Sequence, residues 1–285
     1  MVNLGRIGVW SWQMREEAGV EAAAELEQLG YGALWFPNSP VAFERARALL
    51  EATQRVAVAT GIVSIWAHPP AAAAAAHHAL TAEHPGRFVL GLGVSHAHLV
   101  DADEPGRYRR PLTRMREYLD ALDAAETPVP AVERVLAALG PRMLELSRDR
   151  TAGAHPYLVT VEHTREARAL LGPDAVLAPE QAVVLETDPD RARALGRQHL
   201  SRYLLAPNYT NSWLRLGFTP GDLENGGSDR LVDGLVAWGD AGAIRDRVAQ
   251  HHDAGADHVC VQVITADPAA LPREEWRTLA AALIR

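Results

Sequence analysis

Apolar residues follow two alternating rhythms along this chain. Short unbroken β-branched and aromatic runs take turns with longer stretches whose apolar positions lie three and four apart. Residues 7–12 form the first run, and residues 16–29 follow with Ala22, Leu26 and Leu29 at helical spacing before Gly30 stops them. The same logic predicts a strand over 33–36, a helix over 43–51 and a long apolar strand over 56–65 that runs into His68-Pro69-Pro70. The alanine run 71–76 opens a third helix, and 88–92 predicts strand four, with a polar stretch over 101–110 beyond it. Leu112, Met115, Leu119 and Leu122 stripe the next helix, and 132–139 predicts strand five. Gly140-Pro141 opens a helix running to Arg150, with proline in the first turn, where its missing N–H costs nothing. Residues 155–161 predict strand six, 164–171 a helix, 182–186 strand seven and 189–204 a helix. The segment 207–228, rich in Asn, Gly and aromatics, predicts an excursion. A helix over 243–254, strand eight over 258–264 and a helix over 274–284 complete the pattern.

Eight strands alternating with helices at roughly 36 residues per unit predict one α/β domain over residues 1–285, a (β/α)₈ TIM barrel with insertions. An open doubly wound sheet is the competitor. It would want phosphate-binding glycines after its first strand, where Ser11-Trp12-Gln13 has none.

Composition narrows the chemistry. The chain has 48% hydrophobic and 22% charged residues, an ordinary globular balance. Its net charge of −8 argues against nucleic acid or an anionic membrane as partner. All 28 basic residues are arginine, so lysine Schiff bases and lysine-bearing P-loops are excluded. Cys260, the single cysteine, cannot form an internal disulfide and is expected as a small buried hydrophobe between Val259 and Val261. No signal-peptide pattern or membrane-length apolar run is present, so the expected location is the cytoplasm. Expected partners are a small-molecule substrate and, at most, a second copy of the chain.

In a barrel the active site lies at the C-terminal ends of the strands. This places Trp10 and Trp12, Asn38 and Ser39, residues 62–66, 94–98 and 153–157, and Glu186 around the mouth. Few of these are charged, so paired-carboxylate glycoside hydrolysis is disfavoured and a flat, partly apolar cofactor suits the cup. His96 and His98 could face one metal, yet only His68 and His155 are on offer as further ligands. The other readings are a polar rim histidine, or a proton-handling His96 whose ordinary pKa of about 6.5 suits exchange near neutrality. Gly93, in Gly91-Leu92-Gly93, lets the backbone pass close to a planar ligand or packs strands tightly. Gly61 marks a ligand-facing bulge or crowding inside the barrel. Thr164, as helix N-cap beside His163 and Arg165, makes a phosphate seat or an ordinary capped helix. The pairs His77-His78 and His251-His252 fall within helices as solvated or structural residues.

Leu29-Gly30-Tyr31-Gly32-Ala33-Leu34-Trp35-Phe36, Ala59-Thr60-Gly61-Ile62-Val63, Arg87-Phe88-Val89-Leu90-Gly91-Leu92-Gly93 and Asp253-Ala254-Gly255-Ala256-Asp257-His258-Val259 resemble the luciferase-like monooxygenase superfamily nearly end to end. Gly93-Val94-Ser95-His96, the run 135–144 and Ala154-His155-Pro156-Tyr157-Leu158-Val159 look most like oxidoreductases of that superfamily that use the deazaflavin coenzyme F-420. The resemblance implies a barrel holding a flavin or deazaflavin across its strand ends, with a non-proline cis peptide at Gly61-Ile62. It implies hydride transfer between the deazaflavin and a substrate carbon, with FMN as the alternative cofactor. Asn38 and Ser39 stand where deazaflavin members often carry an acid and a histidine, and His96 stands where they carry a glutamate. Proton handling therefore passes to His96 or to the substrate itself. On this reading Gly93, Ser95, Gly153 and His155 meet the cofactor, His163 and Thr164 hold its phosphate, and Trp10, Trp12 and Trp66 wall the substrate. A reduced-flavin monooxygenase, a metal hydrolase on His96 and His98, and a barrel that has lost catalysis are the rival functions.

Overall fold

A strand covered on both faces needs apolar side chains at odd and even positions alike, and the short apolar runs meet that need. The computed structural model describes residues 2–284. Its strands are β1 (Ile7–Trp10), β2 (Ala33–Phe36), β3 (Ala57–Thr60), β4 (Val63–Ser64), β5 (Phe88–Gly93) and β6 (Arg134–Leu136). Then come β7 (Gly153–Ala154), β8 (Val176–Leu177), β9 (Glu180–Val184), β10 (Val236–Trp238) and β11 (Val259–Val263). All pairings are parallel, in the order β10-β9-β11-β1-β2-β3-β5-β6-β7-β8, with β4 on β5.

β4 carries β3 onward past Gly61-Ile62, and β9 carries β8 onward past Ala178-Pro179. Each interrupted pair counted as one strand gives the eight-membered ring of a TIM-barrel fold. β11 closes it, with Val259 opposite Ile7 on one side and Val261 opposite Gln181 on the other. The joint between β8 and β9 stays bonded to its neighbour, because Ala178 N donates to Ala154 O and Glu180 N to Pro156 O. β10 lies outside the ring, with Ala237 opposite Val183 of β9.

Alternation along β2 sorts the core. Leu34 and Phe36 pack outward with Leu49 and Leu50 of the helix Ala42–Glu51, whereas Ala33 and Trp35 belong to the barrel interior. The small Ala33, Ala57 and Ala59 leave room for Trp35, which stacks at 4.2 Å on His155 and donates Nε1 to His258 Nε2 at 3.1 Å. These rings plug the barrel below its mouth, with His155 uppermost. Five helices, Pro70–Glu83, Pro111–Asp123, Pro141–Arg150, Pro189–Leu200 and Pro207–Arg215, begin with proline in the first turn, as the residue's fixed φ favours. Cys260 is fully buried, and His77 and His251 are buried structural residues.

Three sequence expectations need correction. Strand six is β7, two residues long, and the apolar run 155–160 leaves the sheet: Leu158 takes a left-handed backbone and gives its N–H to the Glu180 carboxylate. That run is apolar because it is buried under the excursion, whose Trp213 Nε1 donates to Leu158 O. The excursion 207–228 stands, carries the helix Pro207–Arg215 and is followed by the helix Asp229–Leu235. Trp12 begins a 3₁₀ turn instead of ending β1, capped by Ser11. β9 ends at Val184, which leaves Glu186 outside the strand, paired with Arg191. No helix among the described residues is long and apolar enough to cross a membrane.

Candidate active site

At the C-terminal ends of the strands a cleft of about 800 Å³ opens over His155. One wall comes from the barrel itself: Trp10, Asn38, Gly61-Ile62, Gly93 and the loop Val94-Ser95-His96. Gly61-Ile62 is a cis peptide, as the resemblance implied. Gly61 faces inward, where a Cβ would meet Trp10 Nε1 at 2.6 Å and His155 Nε2 at 3.0 Å, and its carbonyl accepts from Trp10 Nε1 at 3.2 Å. A Cβ on Gly93 would strike the Ile62 side chain at 2.6 Å. Glycine is thus required at both positions for close packing around the bulge. Asn38 Oδ1 accepts from Ser64 N at 3.1 Å, which pins the end of β2 to β4.

Of the opposite wall, sequence reasoning placed only Tyr157 at the mouth. Tyr157, Tyr203, Asn208, Tyr209 and Arg215 line it, the last three carried by the helix Pro207–Arg215. Gln262 Oε1 can only accept, so Tyr157 donates to it at 2.7 Å and receives the Tyr203 hydroxyl at 2.8 Å. The one available signal was the recurrence of tyrosine and tryptophan at 203, 209 and 213 next to Pro207.

Charge in the cleft is opposite to that of the chain. Arg15, Arg142 and Arg215 line it and no Asp or Glu does, among the described residues. Arg215 Nη2 donates to Leu139 O at 2.7 Å and Arg15 Nη1 to Asn38 O at 3.3 Å, so each guanidinium is held by a carbonyl and keeps its charge free for a ligand. Gly140 starts the helix Pro141–Arg150 with open space where a Cβ would lie, and Pro141 and Arg142 line the cleft beside it.

The histidines divide by burial. His155 Nδ1 lies 2.7 Å from Ala178 O, which can only accept, so Nδ1 carries the proton and the buried Nε2 is a bare acceptor. Burial pulls its pKa down to about 4 against the opposing carbonyl bond. His163 is likewise pulled to about 4 by burial, with Nε2 donating to Leu139 O at 3.0 Å. His96 lines the cleft, with Nδ1 3.0 Å from Asn208 Oδ1. Burial lowers its pKa and the neighbouring His98 adds to that, while the Asn208 bond opposes both. Glu180, fully buried behind the tyrosines, is pushed up to about 8 by desolvation, with the Leu158 N–H pulling the other way.

Trp10, Trp12, Asn38, Gly61, Ile62, Gly93, Ser95, His96 and His155 therefore meet at one cleft. Ser39 and Trp66 stand behind its wall. Ser39 Oγ caps Val41 N at 3.3 Å, and Trp66 Nε1 donates to Val94 O at 2.7 Å. Gly153 approaches backbone closely, but that of β8: a Cβ there would lie 1.9 Å from Val176 O. The helix Val161–Leu171 is capped by Thr160, whose Oγ1 accepts from His163 N, and not by Thr164. Thr164 is buried one turn further along, bonded to His251 Nδ1 at 2.8 Å, and Arg165 pairs with Glu162. His98 stacks on His96, but no group of three metal-ligating side chains occurs among the described residues.

A family model described as luciferase-like monooxygenase matches residues 7–258. A protein of Mycobacterium tuberculosis named as a coenzyme F-420-dependent oxidoreductase is 36% identical over 118 residues. That match takes in 40% of this chain and spans only 32% of the relative's length. Among solved structures, an F-420-dependent secondary alcohol dehydrogenase in complex with an F-420-acetone adduct superposes with a TM-score of 0.76 at 15% identity, covering 100% of both chains. The oxygenating constituent of 3,6-diketocamphane monooxygenase from Pseudomonas putida, in complex with FMN, superposes with a TM-score of 0.68 at 14% identity, covering 98% of this chain and 96% of that one. At such identities the shared shape shows the fold.

Proposed function

The chain belongs to the luciferase-like monooxygenase family, and from that premise we propose that it is an oxidoreductase moving a hydride between coenzyme F-420 and a small organic substrate. The observation that carries the reading is the cleft itself, a mostly apolar cup in an acidic protein whose charged lining residues are arginines. Such a cup fits a planar ring with an anionic tail, because free guanidinium groups in a low-dielectric cleft focus potential on negative charge. The orphaned Nε2 of His155 and the crowding at Gly61 and Gly93 fit a flat group laid against the bulge. When bound, the deazaflavin supplies a ring carbon that gives or accepts a hydride.

The chain's own residues do the rest. Arg142 and Arg215, with the free N–H of Arg142 at the helix start, bind the phosphate, so the seat lies at Gly140-Pro141-Arg142 and not at Thr164. Ile62 and Gly93 set the depth of the ring, and Trp10, Trp12 and Tyr209 exclude water from the reacting face. His96, neutral near pH 7, takes up or returns the proton that accompanies the hydride.

The reduced-flavin monooxygenase is the second reading, supported by a fold neighbour whose own structure is in complex with FMN. Parallel titrations with oxidised coenzyme F-420 and with FMN, followed by visible absorbance and fluorescence, separate the two. Tighter binding of the deazaflavin is expected, and a clear preference for FMN would overturn the proposal.

A further inference from the structure

We infer that Asn208 is a positioning residue for His96, holding the imidazole in the tautomer that is protonated on Nδ1 and bare at Nε2. The inference rests on the reading above, in which His96 handles the proton. The two side chains are 112 positions apart in sequence and meet across the cleft at 3.0 Å. An amide oxygen accepts and never donates, so with Oδ1 facing the ring, Nδ1 must be the donor. Nε2 takes no partner among the described residues and is not sealed from the cleft.

The rest of the ring's surroundings serve the same end. Tyr209, next to Asn208 on the helix Pro207–Arg215, lies 5.4 Å from the His96 ring, and His98 stacks on it at 5.7 Å with the planes only 8° apart. Tyr108 donates its hydroxyl to Ser95 O at 3.4 Å, which steadies the preceding residue. These groups are uncharged when His98 is neutral, and no carboxylate lines the cleft. Asn208 therefore orients His96 as a carboxylate would in a catalytic pair, but without adding charge that would raise its basicity. The resting ring offers the cleft an acceptor, and takes a proton from a bound group before it can return one. Asn208 is exposed and makes no other side-chain hydrogen bond among the described residues, so nothing in the packing requires asparagine there.

Nitrogen-15 NMR of the histidine rings in the ligand-free protein tests this without any cofactor. The native chain should show His96 protonated on Nδ1. Asn208→Ala should mix the two tautomers and lower kcat about tenfold with KM little changed, as loss of orientation predicts. Asn208→Asp keeps an acceptor. It should preserve the Nδ1–H form, recover most of the rate and shift the acid limb of the pH–rate profile upward. An Nε2–H tautomer in the native chain, or an unchanged tautomer in Asn208→Ala, would overturn the inference. A native chain that shows the Nδ1 proton yet binds no deazaflavin would support the positioning of His96 and overturn the cofactor reading instead.

Discussion

The two walls of the cleft are built by different means. The barrel wall rests on close backbone packing at glycine: Gly91 presses on Thr60, Gly93 on Ile62, and Thr60 Oγ1 both donates to Gly91 O at 2.8 Å and accepts from Gly91 N at 2.9 Å. The excursion wall is side chain: Tyr203, Asn208, Tyr209 and Arg215, joined by Tyr157 from the segment after β7, project into the cup. Changes in the first wall should therefore unfold the protein or block the cup. Changes in the second should alter what the cup holds and does while leaving the barrel standing. His96 sits at the seam, on a barrel loop but bonded to the excursion.

The sharpest contrast comes from Gly91→Ala, whose Cβ would lie 1.8 Å from the backbone oxygen of Thr60. Backbone cannot yield as a side chain can, so a loss of about 3 kcal/mol or more is expected in urea denaturation. His96→Ala at the seam should lower kcat about a hundredfold, read in steady-state kinetics, with an unchanged melting temperature. Arg215→Ala on the second wall should weaken deazaflavin binding about tenfold in a fluorescence titration and leave the urea midpoint where it was.

The smallest effect concerns pH. Glu180 keeps its proton up to about pH 8 in the fold and would lose it near its ordinary value of 4.5 once unfolded. Its contribution to stability is complete at acid pH and drains away as pH rises through 8. His155 and His163 act in the opposite sense. Neutral in the fold down to about pH 4, they contribute fully above about pH 6.5 and lose that contribution as pH falls. Glu180→Gln should flatten the alkaline decline, so that its melting temperature falls by roughly 2–4 °C less than the native protein's between pH 5 and pH 8.

How much of this was legible follows from the same contrast. The barrel wall could be read because parallel strands leave long apolar runs and because Gly61 and Gly93 interrupt them where only glycine fits. β7 and β8 carry two residues each, too few for a pattern to register, so strand six slid onto the apolar run 155–160, which owes its composition to burial beneath Trp213. β10 falls in residues 229–242, to which the pattern assigned no element. The excursion wall was opaque because Tyr203, Asn208, Tyr209 and Arg215 are brought to the cleft by the chain's return path, which no local periodicity encodes. The helix cap was misread for a smaller reason. Thr160 and Thr164 are one helical turn apart, and hydrogen bonding to His163 N decides that the first one caps.

On the proposed function, a tricyclic ring rests on the bulge at Gly61-Ile62 with its phosphate at the Gly140-Pro141-Arg142 helix start. A crystal soaked with oxidised coenzyme F-420 tests it most directly. Density for the ring is expected between Ile62, Gly93 and the tyrosine wall, with the phosphate within hydrogen-bond reach of Arg142 and Arg215. A cup that stays clear of the ring under saturating coenzyme, or a phosphate bound at the Thr164 helix, would contradict it.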